Sequence, residues 1–157
     1  NATRMLAVRA LTAEDPLTRR HALYLLGTMS DPDCIKVFSK ALQDPEKAVR
    51  NQAMVALAEI GEPAADELIR LLDDQDWKVR YRAAEALGIM KYGGAVGLLV
   101  RMLSDEKDHV RYMAAQSLGR IGDPSARDAL EACGTDDNPY VRRMVFSVLV
   151  QLSDGTR

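Results

Sequence analysis

Apolar and polar residues alternate along this chain in a rhythm of about three turns of helix, restarted at a fixed interval. Anchored on Val49-Arg50, Val79-Arg80, Val110-Arg111 and Val141-Arg142, the intervals are 30, 31 and 31 residues. Thirty-one residues before Val49 stands Thr18-Arg19, a degraded fifth copy. Four positions after the anchors come Ala22, Ala53, Ala83, Ala114 and Val145, and eight after come Leu26, Leu57, Leu87, Leu118 and Leu149. Eleven after come Met29, Ile60, Met90, Ile121 and Leu152. At about 100° per residue these positions share one narrow face, which predicts an amphipathic helix in every copy.

A second stripe precedes each of these helices. Eleven positions before the anchors lie Ala7, Phe38, Leu68, Leu99 and Leu130, and seven before lie Leu11, Leu42, Leu72, Leu103 and the exception Gly134. The spacing of four again predicts a helix. The stretches "SDPD" (30–33), "GEP" (61–63), "KYGG" (91–94) and "GDP" (122–124) supply helix stops, capping side chains and first-turn prolines. No stretch alternates with a period of two over a strand's length, so no sheet is expected. The chain therefore reads as five helix–turn–helix repeats at roughly 2–29, 32–60, 63–90, 94–121 and 124–152. No repeat can bury its stripe alone, so the repeats are expected to stack into an all-α solenoid within one domain.

Each Val-Arg pair also has an Asp five residues before the Val: Asp44, Asp74, Asp105 and Asp136. The run "MAAQSLGRIGD" (113–123) shows the repeat at its clearest. These features resemble the HEAT-like repeat family, in particular the short repeats of phycobilisome bilin lyases and many adaptor proteins. The first repeat departs from the pattern, with Ala13 in place of the Asp and Thr18 in place of the Val. The resemblance implies a right-handed α-solenoid in which Asp44, Asp74, Asp105 and Asp136 and Arg50, Arg80, Arg111 and Arg142 form a hydrogen-bonded ladder between neighbouring repeats. A catalytic pair has no reason to recur four times at equal spacing, whereas a stacking device must.

The resemblance also implies that the second helices line a concave side. Opposite the apolar stripe, positions −2, −1, +2, +3, +6 and +10 from each anchor then form a continuous ridge. Five of the six Trp and Tyr residues fall there, with six Lys or Arg against three acids, although the whole chain carries a formal charge of −2. Trp, Tyr and Arg dominate interface energetics. The candidate partner-binding residues are Tyr24, Trp77, Tyr81, Arg82, His109, Tyr112, Met113, Tyr140 and Arg143, and the expected partner is a protein or peptide segment of acidic character.

Composition changes this picture little. The 157 residues are 47% apolar and 28% charged, as long surface helices would be, and no apolar run approaches a membrane span. Cys34 and Cys133 follow no ligand spacing and read as buried, reduced thiols of a cytoplasmic protein. Asn1 stands where Met would open a full chain, which is consistent with a fragment of a longer array. The apolar residues Met5, Leu6, Val8 and Leu11 at one end and Val145, Val148 and Leu152 at the other are expected to be covered by further repeats or by self-association.

No Ser-His-Asp or Cys-His set, HExxH, P-loop or dinucleotide fingerprint is present. His21 and His109 lie three repeats apart, and neither is followed by Glu, as the iron hydroxylases of this repeat class require. "LDDQD", "SDEKD" and "TDDN" lack the alternating ligands and central Gly of a calcium loop. No cofactor or metal is expected. "YGGAVG" (92–97) reads as a slack turn, with Gly97 weakening the helix over 94–103. The expected function is a non-catalytic interaction scaffold. Two alternatives stay open: a bilin lyase-like subunit or tetrapyrrole chaperone, and, less favoured by a ridge broken by Glu59, Glu85 and Asp108, nucleic-acid binding.

Overall fold

Each stripe in the sequence becomes a helix in the computed structural model, which describes residues 2–155. No strand occurs among the described residues. The ten α-helices among the described residues are α1 (Ala2–Thr12), α2 (Pro16–Thr28), α3 (Ile35–Ala41), α4 (Lys47–Ile60), α5 (Glu62–Leu71), α6 (Trp77–Ile89), α7 (Val96–Met102), α8 (Asp108–Ile121), α9 (Arg127–Ala132) and α10 (Pro139–Asp154). The chain falls into two compact units, residues 1–70 and 71–157.

In unit 1, α2 packs on α1 and α4, and α3 packs on α4. Leu23, Leu26, Phe38, Leu42, Val49 and Leu57 are fully buried. In unit 2, α8 packs between α6 and α10, with α7 against α8 and α9 against α10. Leu87, Leu99, Val110 and Leu130 are fully buried there. Removing such a side chain from water stabilises by roughly 1.5–3 kcal/mol, so the stripes carry most of the folding energy. Two members of the expected stripes do not comply: Met29 is 48% exposed and Leu11 38%. Met29 lies just past the end of α2, where the chain leaves the helix face. Cys34 is buried but Cys133 is only half-buried, which corrects the reading of both thiols as core.

The helix starts follow the chemistry of their caps. Asp15 accepts hydrogen bonds from the backbone N–H and hydroxyl of Thr18 at 2.8 and 2.7 Å. Asp76 and Asn138 accept the amides of Lys78 and Tyr140 at 2.9 and 2.8 Å. These oxygens satisfy N–H groups that a helix leaves free in its first turn. The short helices α3, α7 and α9 each begin with one 3-10 turn, at Pro32–Cys34, Gly93–Ala95 and Pro124–Ala126. The stop before α7 does not use the glycines of "KYGG": Lys91 takes the left-handed φ of 51°.

Arginines one residue after the anchors tie turns together. In unit 1, Arg19 donates from Nε and Nη2 to both Asp44 oxygens at 2.7 and 3.0 Å, and from Nη1 to the carbonyls of Ala13 and Glu14. In unit 2, Arg80 makes the same fork with Asp105 at 2.9 Å on both arms, and its Nη1 reaches the carbonyls of Asp74 and Gln75. Arg111 repeats it with Asp136 at 2.8 and 3.0 Å. Arg50 and Arg142 donate from Nη1 to the carbonyls of their own turns, Asp44 and Pro45, and Asp136 and Asp137. Asp44, Asp74, Asp105 and Asp136 each also accept the amide two residues on, so a single carboxylate fastens its own turn.

Candidate functional site

The side chains with the most recognition chemistry gather on one side of unit 2, where α6, α8 and α10 present corresponding faces. A cavity of about 430 Å³ opens there, lined by Tyr81, Asp108, His109, Tyr112, Asn138, Tyr140 and Val141. Tyr81 and Tyr112 are half-buried mid-helix, and Tyr140, at the start of α10, is 67% exposed. Helical periodicity sets this convergence. Tyr81 and Tyr112 both stand two positions after an anchor, so packing α6 against α8 in register brings the two phenols into one groove.

Trp77 forms the rim. Its ring lies 4.9 Å from the His109 ring and edge-on to Tyr81 at 6.5 Å. The ammonium of Lys107 stands 4.8 Å from the indole centroid and that of Lys78 5.9 Å, both on the electron-rich face that attracts cations. Arg82 lies 5.0 Å from the Tyr81 ring and pairs with Glu85 at 2.9 Å. Arg143 is exposed on α10.

The polar end of the cavity is a short network. His109 Nδ1 lies 2.8 Å from Asp108 Oδ1, and Asn138 Nδ2 donates to Asp108 Oδ2 at 2.6 Å. The hydrogen bond from His109, joined by that from Asn138, holds the Asp108 carboxyl below the usual carboxylate range. Burial, with the Glu85 charge, pushes the Tyr81 phenol up, which keeps it a neutral hydrogen-bonding group. Arg120 Nη1, in the last turn of α8, is buried with no hydrogen-bond partner among the described residues. Arg120 is not among the residues that line the cavity, and a buried donor left unmade is costly.

Unit 2 thus brings together Trp77, Tyr81, Arg82, His109, Tyr112 and Tyr140 among the residues expected from the sequence. Met113 is a correction: it is 2% exposed and packs in the interior. Three residues after its anchor, it sits at the border of the apolar stripe, and an unbranched apolar side chain there turns inward. Tyr24 is 55% exposed on α2, in unit 1. The sequence reading missed Lys107 and Asn138. Both stand three residues before an anchor, at the residue preceding a helix, and from there their side chains reach back over the preceding repeat. Among the described residues, no group of three or more His, Cys, Asp or Glu is placed to hold a metal ion.

The sequence matches the family of HEAT repeats over residues 3–88 and 65–150. No curated protein matches it. Among solved structures, the chain is similar to human deoxyhypusine hydroxylase in complex with glycerol, with 21% identity, a TM-score of 0.59, and 97% of this chain and 74% of that one covered. It is similar to the complex of CpcE and CpcF of phycocyanin lyase from Nostoc sp., with 21% identity, a TM-score of 0.64, and coverage of 97% and 65%. A designed armadillo repeat protein in complex with the peptide (KR)4 aligns with 19% identity, a TM-score of 0.55, and coverage of 94% and 80%. At these identities the likeness shows the fold alone, which is an all-α solenoid class built from helical hairpins.

Proposed function

Because this chain belongs to the family of HEAT repeats, we propose that it is a non-catalytic cytoplasmic adaptor that holds an extended, acidic segment of a partner protein in the aromatic groove of unit 2. A scaffold of helical repeats supports protein interaction in general. The observation that carries the specific reading is the cavity of about 430 Å³ lined by three tyrosines and bordered by Trp77. Rigid aromatic rings offer large contact area at small entropic cost, and they are the side chains on which interface energy concentrates. The cations at the rim, Lys78 and Lys107, favour carboxylates and carbonyl oxygens in the segment that binds.

The test is selection of peptides from a random display library on the intact protein, followed by affinity measurement on the selected sequences. Selected peptides should be enriched in Asp and Glu beside an apolar residue. Alanine at both Tyr81 and Tyr112 should leave the helical fold intact and weaken binding by roughly 2 kcal/mol or more, about thirtyfold. Selection of lysine- and arginine-rich peptides would overturn the acidic assignment, and affinity unmoved by the double substitution would overturn the site. Adding a linear tetrapyrrole should leave the pigment's visible spectrum unchanged; a shifted spectrum would favour a pigment-handling role instead.

A further inference from the structure

The outer side of α10 differs from its counterparts on α6 and α8. On α6, the column one, five and nine residues after the anchor is Arg80, Ala84 and Gly88, and on α8 it is Arg111, Ala115 and Gly119. Ala84 and Ala115 are fully buried, and each column faces the next helix in line. Its small residues are what admit that helix. A Cβ on Gly88 would stand 2.4 Å from Ser117 Oγ, and one on Gly119 would stand 2.7 Å from Val148 Cγ2.

On α10 the same column holds Arg142, Phe146 and Val150 and ends at Asp154. Phe146 is 69% exposed and Val150 45%, whereas Val145, Val148 and Leu152, the residues expected from the sequence to need cover, are already buried. Arg142 uses Nη1 on the carbonyls of its own turn, but the Nε and Nη2 edge that Arg80 and Arg111 give to a carboxylate meets none among the described residues. On α2 the column reads Arg19, Leu23 and Gly27, and the fully buried Leu23 shows that its middle place admits a large residue. A valine where Gly27, Gly88 and Gly119 stand would instead hold a further in-register hairpin at a distance. The face is therefore built for a different occupant.

Its pattern is complementary to itself. Residues four apart form one ridge on a helix. Along α10 that ridge reads cation, apolar, apolar, anion. Turned end for end about the level of residue 148, Arg142 meets Asp154 and Phe146 meets Val150, twice over. We propose that this ridge is the seat of a second copy of this chain, paired α10 to α10 in antiparallel fashion about a two-fold axis. Such an isologous contact needs one surface only, and both copies bring it. One helix pair buries little area, so the pairing is a weak, concentration-dependent equilibrium.

Sedimentation velocity from micromolar to sub-millimolar protein tests it. The intact chain should pass from monomer to dimer across that range. Asp154→Arg should weaken the dimer at least tenfold, and Phe146→Glu should abolish it. Both residues are exposed, so the helical circular dichroism of these variants should match the parent. Arg142→Asp alone should also be monomeric, yet mixed with Asp154→Arg it should form a heterodimer, because each anion then faces a cation. A monomer at every concentration overturns the proposal and leaves the ridge to some other partner. A dimer indifferent to Asp154→Arg overturns it as well, and a mixture that stays monomeric excludes the antiparallel register.

Discussion

The guanidinium of Arg80 meets two carbonyls of its own turn and both oxygens of Asp105, with only 9% of the residue exposed. Truncation strands a carboxylate and two carbonyls together, and breaking a buried pair in this way typically costs about 3–5 kcal/mol. Arg80→Ala should therefore lower the urea midpoint of unfolding markedly without altering its slope; an unchanged midpoint would contradict the reading. The partner carboxylates set an acid limit. Arg111 holds Asp136 below the usual carboxylate range, and at Asp44 burial works upward but the hydrogen bonds from Arg19 and the Glu46 amide outweigh it. Folded values below unfolded ones mean that this stability is complete above roughly pH 4 and is lost as pH falls through the folded values. Melting temperature should drop over that acid window, and Asp136→Asn should flatten the drop while lowering the plateau. Most of these residues were legible because they recur with the anchors. Arg19 was recognised as part of a degraded anchor but left out of the ladder, since Ala13 replaces the Asp of its own repeat, whereas its partner is Asp44 of the next. Lys107 and Asn138 were hidden because helix-start residues read as caps, and where the remaining side chain reaches depends on the neighbouring repeat.

At the scale of the helix, contact distance is set by what lies nine residues past the anchor. Ser117 Oγ donates to the Ala84 carbonyl at 2.7 Å, and Gln151 Nε2 donates to the Gly119 carbonyl at 2.7 Å, across α6–α8 and α8–α10. Both bonds need the close approach that Gly88 and Gly119 allow. Gly88→Ala should force the helices apart and destabilise by about 1–3 kcal/mol, the usual range for overpacking. Gly97 is the opposite case: nothing lies within 4 Å of a Cβ built there. Gly97→Ala should stabilise by up to about 1 kcal/mol through helix propensity alone. Chemical denaturation of the two variants side by side checks both signs. The recurring Leu-Gly was visible in the sequence, but two glycines of equal appearance are distinguished only by what stands opposite them. The existence and type of every long helix followed from the stripes. The 3-10 starts of α3, α7 and α9 did not, because a first turn of either kind uses the same caps.

For the whole chain, the repeat was plain from end to end, while the division into two units was written more faintly. The boundary after residue 70 falls in the one interval where the anchors are 30 rather than 31 residues apart. From Arg50 to Asp74 the separation is likewise 24, where the three forked pairs each span 25. A single missing residue is easily passed over in a repeat that tolerates insertions at its turns. The groove was half legible: its aromatic columns follow from periodicity, but which columns converge depends on how the helices pack. One property of that groove has a practical use. Trp77 is the single tryptophan of the chain and stands at the groove's mouth, between an imidazole and an ammonium group. Excited at wavelengths that tyrosine does not absorb, the protein's native glow therefore comes from one spot, and whatever settles beside it will change the colour or brightness of that light without any added dye.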